Sequence, residues 1–251
     1  MPRESLNEKK ARTKQLIAAF KKTYPDAHCE LNFSTPLELL IATILSAQCT
    51  DKRVNMVTEQ LFKKYKTAQD YAKASQEELE TEIKTTGFFR NKAKSIRACC
   101  AALVEKHGGE VPRTMEELNA LGGVGRKTAN VVLGNAFDVN VGVVVDTHVS
   151  RLSQRLNLTK QTGAEKIEQD LIELVPQKEW TLFSHLLIWH GRRRCFARKP
   201  DCPHCEVKWL CPRIGVLPAT DKLTDKSKES QAPGRKSPAR GLKVAVRVSV
   251  D

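Results

Sequence analysis

The spacing Cys195-x6-Cys202-x2-Cys205-x5-Cys211 requires a short length of chain to wrap around one point. Four thiolates so close in sequence can hold zinc or a [4Fe–4S] cluster, and ligand count alone does not separate the two. Zinc ribbons usually carry two C-x2-C knuckles, whereas only Cys202-Pro-His-Cys205 has that form here. Four ligands leave no open coordination position, so the centre is expected to be structural. Its first gap, "FARKPD", contains Arg198 and Lys199 and follows "GRRRC". A metal centre would pin this basic loop where it can meet a phosphate. The other cysteines, Cys29, Cys49, Cys99 and Cys100, lie scattered in helical-looking segments and read as small apolar residues.

Helix signals dominate the rest. Thr35-Pro36-Leu37-Glu38 is a capping box with Pro at the first helical position, leading into "LELLIATILSAQ". Ser75-x-x-Glu78, Thr114-x-x-Glu117 and Thr162-x-x-Glu165 repeat that cap before segments of helical period. Asn91 to His107 reads as a helix closed by Gly108-Gly109, and Leu6–Phe20 and Lys178–His190 read as two more. "VNVGVVVDTHV", Val139 to Val149, has strand propensity but no strand to pair with, so a buried extended connection is expected. From about Pro218 the chain is polar and basic and contains Pro, Gly and Ser, the composition of a disordered tail. Its last residues, "LKVAVRVSV", alternate weakly as a strand would.

"LGGVGRKTAN", Leu121 to Asn130, departs from a nucleotide-binding loop. Arg126 separates Gly125 from Lys127, and a capped helix rather than a strand precedes the glycines. The element is helix, glycine hairpin, helix. Glycines leave room for backbone N–H groups to converge on one anion, and the following helix N-terminus adds a favourable dipole. Gly123, Gly125, Arg126 and Thr128 are therefore candidate phosphate contacts. The formal charge of +13 favours a polyanionic partner. Lys127 can be one more phosphate contact or a nucleophile that forms a Schiff base. Asp146 follows a nearly continuous apolar run and is joined by Thr147 and His148, so a buried carboxylate there needs a partner. It can also cap a helix starting at Thr147. The charged N-terminus lacks the apolar core of a signal peptide, and no apolar run approaches the roughly 20 residues of a bilayer span. A cytoplasmic, nucleoid-associated protein with reduced thiols is expected, without a membrane partner.

Taken together, "LNFSTPLELLIATILSAQCTD", "GFFRNKAKSI", "LGGVGRKTANVVLGNAF", "VDTH", "HGRRRC" and the cysteine spacing resemble the endonuclease III family of base-excision DNA glycosylases. The resemblance runs from about Leu6 to Arg213. It implies an all-α helix-hairpin-helix glycosylase fold, with two α-helical domains and a DNA cleft between them. A six-helix barrel would span 29–139, an iron–sulfur domain 1–28 plus 140–215, and the basic tail 216–251. It further implies a [4Fe–4S] cluster rather than zinc on Cys195, Cys202, Cys205 and Cys211.

The implied activity is that of a bifunctional glycosylase and abasic-site lyase on duplex DNA carrying an oxidised pyrimidine, acting as a monomer. By resemblance Lys127 is the nucleophile and Asp146 the essential carboxylate. Gln48 matches the residue that fills the gap left by a flipped base. Phe88 stands where the family often has a wedging leucine, although Phe88-Phe89 is also compatible with ordinary core packing. His148, Arg198 and Lys199 join the expected DNA contacts. Two features depart from the family pattern. Gly122 replaces a proline, which should loosen the hairpin, and the interval from Lys127 to Asp146 is one residue longer than usual. The adenine-DNA glycosylase branch shares the hairpin and the cysteines but lacks a lysine at the position of Lys127. A non-catalytic DNA-binding or redox-sensing module would not need Lys127 and Asp146 together.

Overall fold

The computed structural model describes residues 4–216. The basic tail expected over 216–251 and its terminal "LKVAVRVSV" therefore lie, but for Val216, outside the described residues. Among the described residues there are eleven α-helices and no strand. In chain order they are α1 (Leu6–Thr23), α2 (Pro36–Leu45), α3 (Asp51–Lys64), α4 (Ala68–Lys73), α5 (Gln76–Ile83), α6 (Phe89–His107), α7 (Met115–Asn119), α8 (Arg126–Ala136), α9 (Thr147–Arg155), α10 (Ala164–Leu174) and α11 (Trp180–Arg193). Short 3-10 turns at Lys84–Thr86 and Gln177–Glu179 precede α6 and α11.

The caps act as their side-chain chemistry dictates. Thr35, Ser75 and Thr114 each accept a hydrogen bond from the amide three residues on, at the starts of α2, α5 and α7. Thr162 does not. The N-cap of α10 is Gly163, one residue later, and it contributes no side chain. Two helices lie outside the expected set. Thr50 caps α3 and Thr67 caps α4, the latter in a full box with Asp70. α6 starts at Phe89 rather than Asn91 and ends at Gly108, whose left-handed φ of 61° suits a residue without Cβ.

Two hydrophobic cores form. The first takes the near-continuous apolar run of α2, where Leu39, Leu40, Ile41, Ala42 and Leu45 are fully buried, and surrounds it with α3 to α8. The second gathers Leu16, Ile17 and Phe20 of α1, spaced for one helix face, with α9, α10 and α11. Val143, Val144 and Val145 run buried between α8 and α9 without forming a strand, so the valine-rich segment is a buried connection. The two cores are tied by polar links. Arg192 of α11 pairs with Glu30 and with Asp51 at the start of α3, and His185 of α11 bonds Asn135 of α8.

Candidate functional site

The glycine hairpin joins α7 to α8. Gly123 has φ 78°, and a Cβ there would sit 2.6 Å from the Ser95 Cβ of α6, so both backbone and space require glycine. Gly122 presses on the same helix, with a Cβ meeting the Ala98 Cβ at 3.2 Å. Close packing against α6 thus limits the looseness that replacing a proline would bring. Gly125 is the N-cap of α8 and carries no capping side chain, and nothing lies within 4 Å of where its Cβ would be. The first-turn amides of α8 therefore open onto space.

Arg126, Lys127 and Thr128 form that first turn. Lys127 is exposed and Thr128 half-buried. Arg126 turns its guanidinium inward instead. Its Nε and Nη2 donate to the two oxygens of Glu168 at 2.7 and 2.9 Å, and Asn130 Nδ2 adds a third bond at 3.0 Å. Glu168 holds the Arg126 pKa above its ordinary value. Any phosphate contact at this position falls to the Arg126 backbone. Glu168 itself, buried on α10, carried no sequence signal beyond a charge inside an apolar helix face.

Asp146 is the N-cap of α9, its Oδ1 accepting the Val149 amide at 2.7 Å. Its Oδ2 makes no hydrogen bond among the described residues, so one oxygen stays available. His148, the second residue of α9, is half-buried. Burial holds it below the ordinary histidine pKa against the pull of Asp146, with Arg151 and Arg192 adding to the depression. Arg151 Nη2 donates to the Gly191 and Cys195 carbonyls at 3.1 and 3.0 Å, which joins α9 to the start of the cysteine loop.

Gln48 and Phe88 share an unusual backbone. Their φ angles are 53° and 48°, left-handed values that cost a non-glycine residue energy and mark strained turns. Both side chains are exposed, Phe88 to 63%. Phe89, by contrast, packs against the first core. The adjacent phenylalanines have divided into one core residue and one projecting ring.

All four clustered cysteines line one cavity, with Leu152, Leu156 and Val207 among the apolar residues of its wall. No three His, Cys, Asp or Glu side chains among the described residues converge as ligands of a single ion. The four thiols share the wall of this one cavity, a donor set of the kind that four-thiolate metal centres use. Polar side chains already face two of the sulfurs. Arg155 Nη1 lies 3.2 Å from Cys195 Sγ, and His190 Nε2 lies 3.6 Å from Cys205 Sγ. Arg155 also bonds the carbonyls of Phe196 and Ala197, and Arg194 pairs with Asp201 and Glu206. Arg198 and Lys199 lie exposed on this loop, Lys199 with a left-handed φ of 52°.

Residues 41–177 match the HhH-GPD superfamily of base excision DNA repair proteins. Endonuclease III of Synechocystis sp. is 55% identical over 204 residues, covering 81% of this chain and 93% of the relative. A solved non-covalent endonuclease III–DNA complex superposes with a TM-score of 0.78 at 46% identity, over 81% of this chain and 95% of that one. A trapped covalent endonuclease III–DNA intermediate matches with the same score and identity, over 81% and 96%. By its family model, its curated relatives and its structural match, the chain belongs to the endonuclease III family, the base-excision DNA glycosylases with abasic-site lyase activity.

Proposed function

We propose that this chain removes oxidised pyrimidines from duplex DNA through a Schiff base on Lys127 and then cuts the strand 3′ to the site. The observation that carries this reading is the exposed Lys127 amine at the uncapped start of α8, directly after the hairpin glycines. Phosphate held by the amides of Gly123 and Gly125 and of the α8 first turn would place a flipped nucleotide against Lys127. The neutral amine attacks C1′, the glycosidic bond breaks, and its electron pair leaves with the base, which takes up a proton. The free oxygen of Asp146 stabilises positive charge on the sugar or takes a proton from Lys127. Opening of the sugar ring gives the imine. Its positive charge acidifies the 2′ hydrogen, whose loss expels the 3′ phosphate, and water then releases the enzyme.

Gln48 fills the space left by the extruded nucleotide and Phe88 wedges the stack, roles supported by their exposure on strained turns. His148, Thr128, Arg198 and Lys199 supply further backbone contacts. Cys195, Cys202, Cys205 and Cys211 would hold a [4Fe–4S] cluster. When bound it would give the basic loop a fixed scaffold, and the thiols' own neighbours, Arg155 and His190, orient them. The two cores support a division into 29–139 and 1–28 plus 140–215. The protein acts as a monomer.

Borohydride reduction in the presence of duplex DNA carrying thymine glycol or an abasic site tests the central step. A covalent complex is expected with the wild type and none with Lys127→Ala, which should still bind DNA. Base release by the wild type without trapping would overturn the Schiff base. The adenine-specific branch is tested in the same panel, since its substrate has an intact adenine and leaves no trapped product.

A further inference from the structure

Lys92 sits in the first turn of α6, yet only 4% of it is exposed. Its Nζ donates to the Leu45 carbonyl at the end of α2 and to the Thr86 carbonyl in the 3-10 turn, both at 2.8 Å. Nothing about its own helix favours this placement, because a cation near a helix N-terminus opposes the dipole. Burial adds to the cost and pushes its pKa down, offset in part by Cys49. The end of α2, however, has no basic residue of its own in its last turn. Lys92 supplies the missing positive charge there and satisfies a carbonyl that α2 leaves free.

The two acceptors have a common position in the chain. Leu45 precedes Gln48 by three residues, and Thr86 precedes Phe88 by two. Gln48 and Phe88 are the exposed, left-handed residues of their turns. One ammonium therefore ties the roots of two separate strained turns, and no backbone hydrogen bond joins those turns to each other among the described residues.

We propose that Lys92 is a positioning residue that fixes the distance between the Gln48 and Phe88 turns, so that both side chains enter the duplex in register at one lesion. This rests on the reading that Gln48 and Phe88 penetrate the DNA. Without the ammonium, each turn keeps its local backbone but the two lose their common anchor.

The test compares duplex with single-stranded substrate in Lys92→Met and Lys92→Gln, the second retaining a hydrogen-bond donor. Base displacement is read from 2-aminopurine placed opposite the lesion, and strand cleavage from a preformed abasic site in single-stranded DNA, where no stack is entered. For Lys92→Met, kcat/KM on the duplex lesion and the 2-aminopurine amplitude should fall by roughly ten- to a hundredfold, the range for a displacement of about an ångström remote from the chemistry. Single-strand cleavage should hold, and Lys92→Gln should recover part of the loss. If Lys92→Met does not fold, the same duplex-selective loss is required of Lys92→Gln. Equal losses on both substrates, or no loss on the duplex, overturn the proposal. Phe88→Ala and Gln48→Ala separate the layers. If they leave base displacement intact, the penetration reading fails and the proposal with it, whereas a loss in those two variants alone rejects only Lys92.

Discussion

Glu168 on α10 accepts both Nε and Nη2 of Arg126, at 2.7 and 2.9 Å, and Arg126 immediately precedes Lys127. A buried carboxylate on α10 thus holds the first turn of the helix that carries Lys127. The same carboxylate leaves no room for a side chain at Gly142, where a Cβ would lie 2.0 Å from Oε1.

Glu168→Ala should lower stability and slow trapping together. It leaves the Arg126 guanidinium and the Asn130 amide without their acceptor. Because the Arg126 side chain is 38% exposed, the loss should stay near 1–3 kcal/mol, below the ~3–5 kcal/mol of breaking a fully buried pair. Urea unfolding measures the first effect. Single-turnover borohydride trapping measures the second, with roughly a tenfold lower rate expected and DNA affinity nearly unchanged. A variant that loses affinity but traps at the normal rate would show that Arg126 does not orient Lys127.

The elements legible in the sequence are those written in local chemistry. Thr35, Ser75 and Thr114 cap their helices, and the hairpin glycines and the cysteine spacing mark the two functional segments. Thr162 failed as a cap because the chain turns helical only after Gly163, while the nearby Thr159 hydroxyl bonds Asp170 and receives the Gln161 amide. α3 carries little signal in the sequence because its charged residues dilute a stripe of only Val54, Thr58 and Leu61. Lys92 and Glu168 had no local signature. The Leu45 carbonyl lies 47 residues from Lys92 and Arg126 lies 42 residues from Glu168, and only the fold brings each pair together. Sequence also left Phe88 open between a projecting wedge and core packing beside Phe89, and the left-handed turn that exposes Phe88 is seen only in the fold.

Phe88→Gly should stabilise the fold while impairing the enzyme. Glycine relieves a left-handed φ of 48°, and the ring it removes is mostly in solvent, so a gain of up to about 1 kcal/mol is expected. Thermal unfolding would report it. Activity on a duplex lesion should fall, with cleavage of a preformed single-stranded abasic site spared. A destabilised variant would mean that the ring packs on the protein rather than waiting for DNA.

Arg198 and Lys199 make a prediction about salt. If each meets one phosphate, replacing both with alanine should weaken binding evenly across sequences and reduce the slope of log K against log salt by about 2. Fluorescence anisotropy over a salt series gives the slope. If the proposed [4Fe–4S] cluster is held by the four cysteines, removing it by iron chelation after mild oxidation should reproduce this change in the wild type, because the cluster would pin the loop bearing both residues at Cys195 and Cys202. An unchanged slope in both experiments would place the cysteine loop away from the DNA.

His185 sets an acid limit on stability. It lies on α11, its Nε2 donating to Asn135 Oδ1 of α8 at 2.7 Å, and burial depresses its pKa to about 4, with His28 and Arg192 adding to the effect. The unfolded chain keeps a value near 6.5. Between these values the unfolded state binds the extra proton, so stability is full above about pH 6.5 and falls as pH drops toward 4. His185 should contribute a loss of about 2 kcal/mol between pH 7 and pH 5. His185→Gln keeps a donor for Asn135 and cannot titrate, so its urea-unfolding free energy should be flatter over that interval by the same amount. His190, also depressed to about 4 by burial, lies against Tyr24 and Cys205 instead. If His185→Gln retains the full acid slope, the proton is taken up there rather than at the link between α8 and α11.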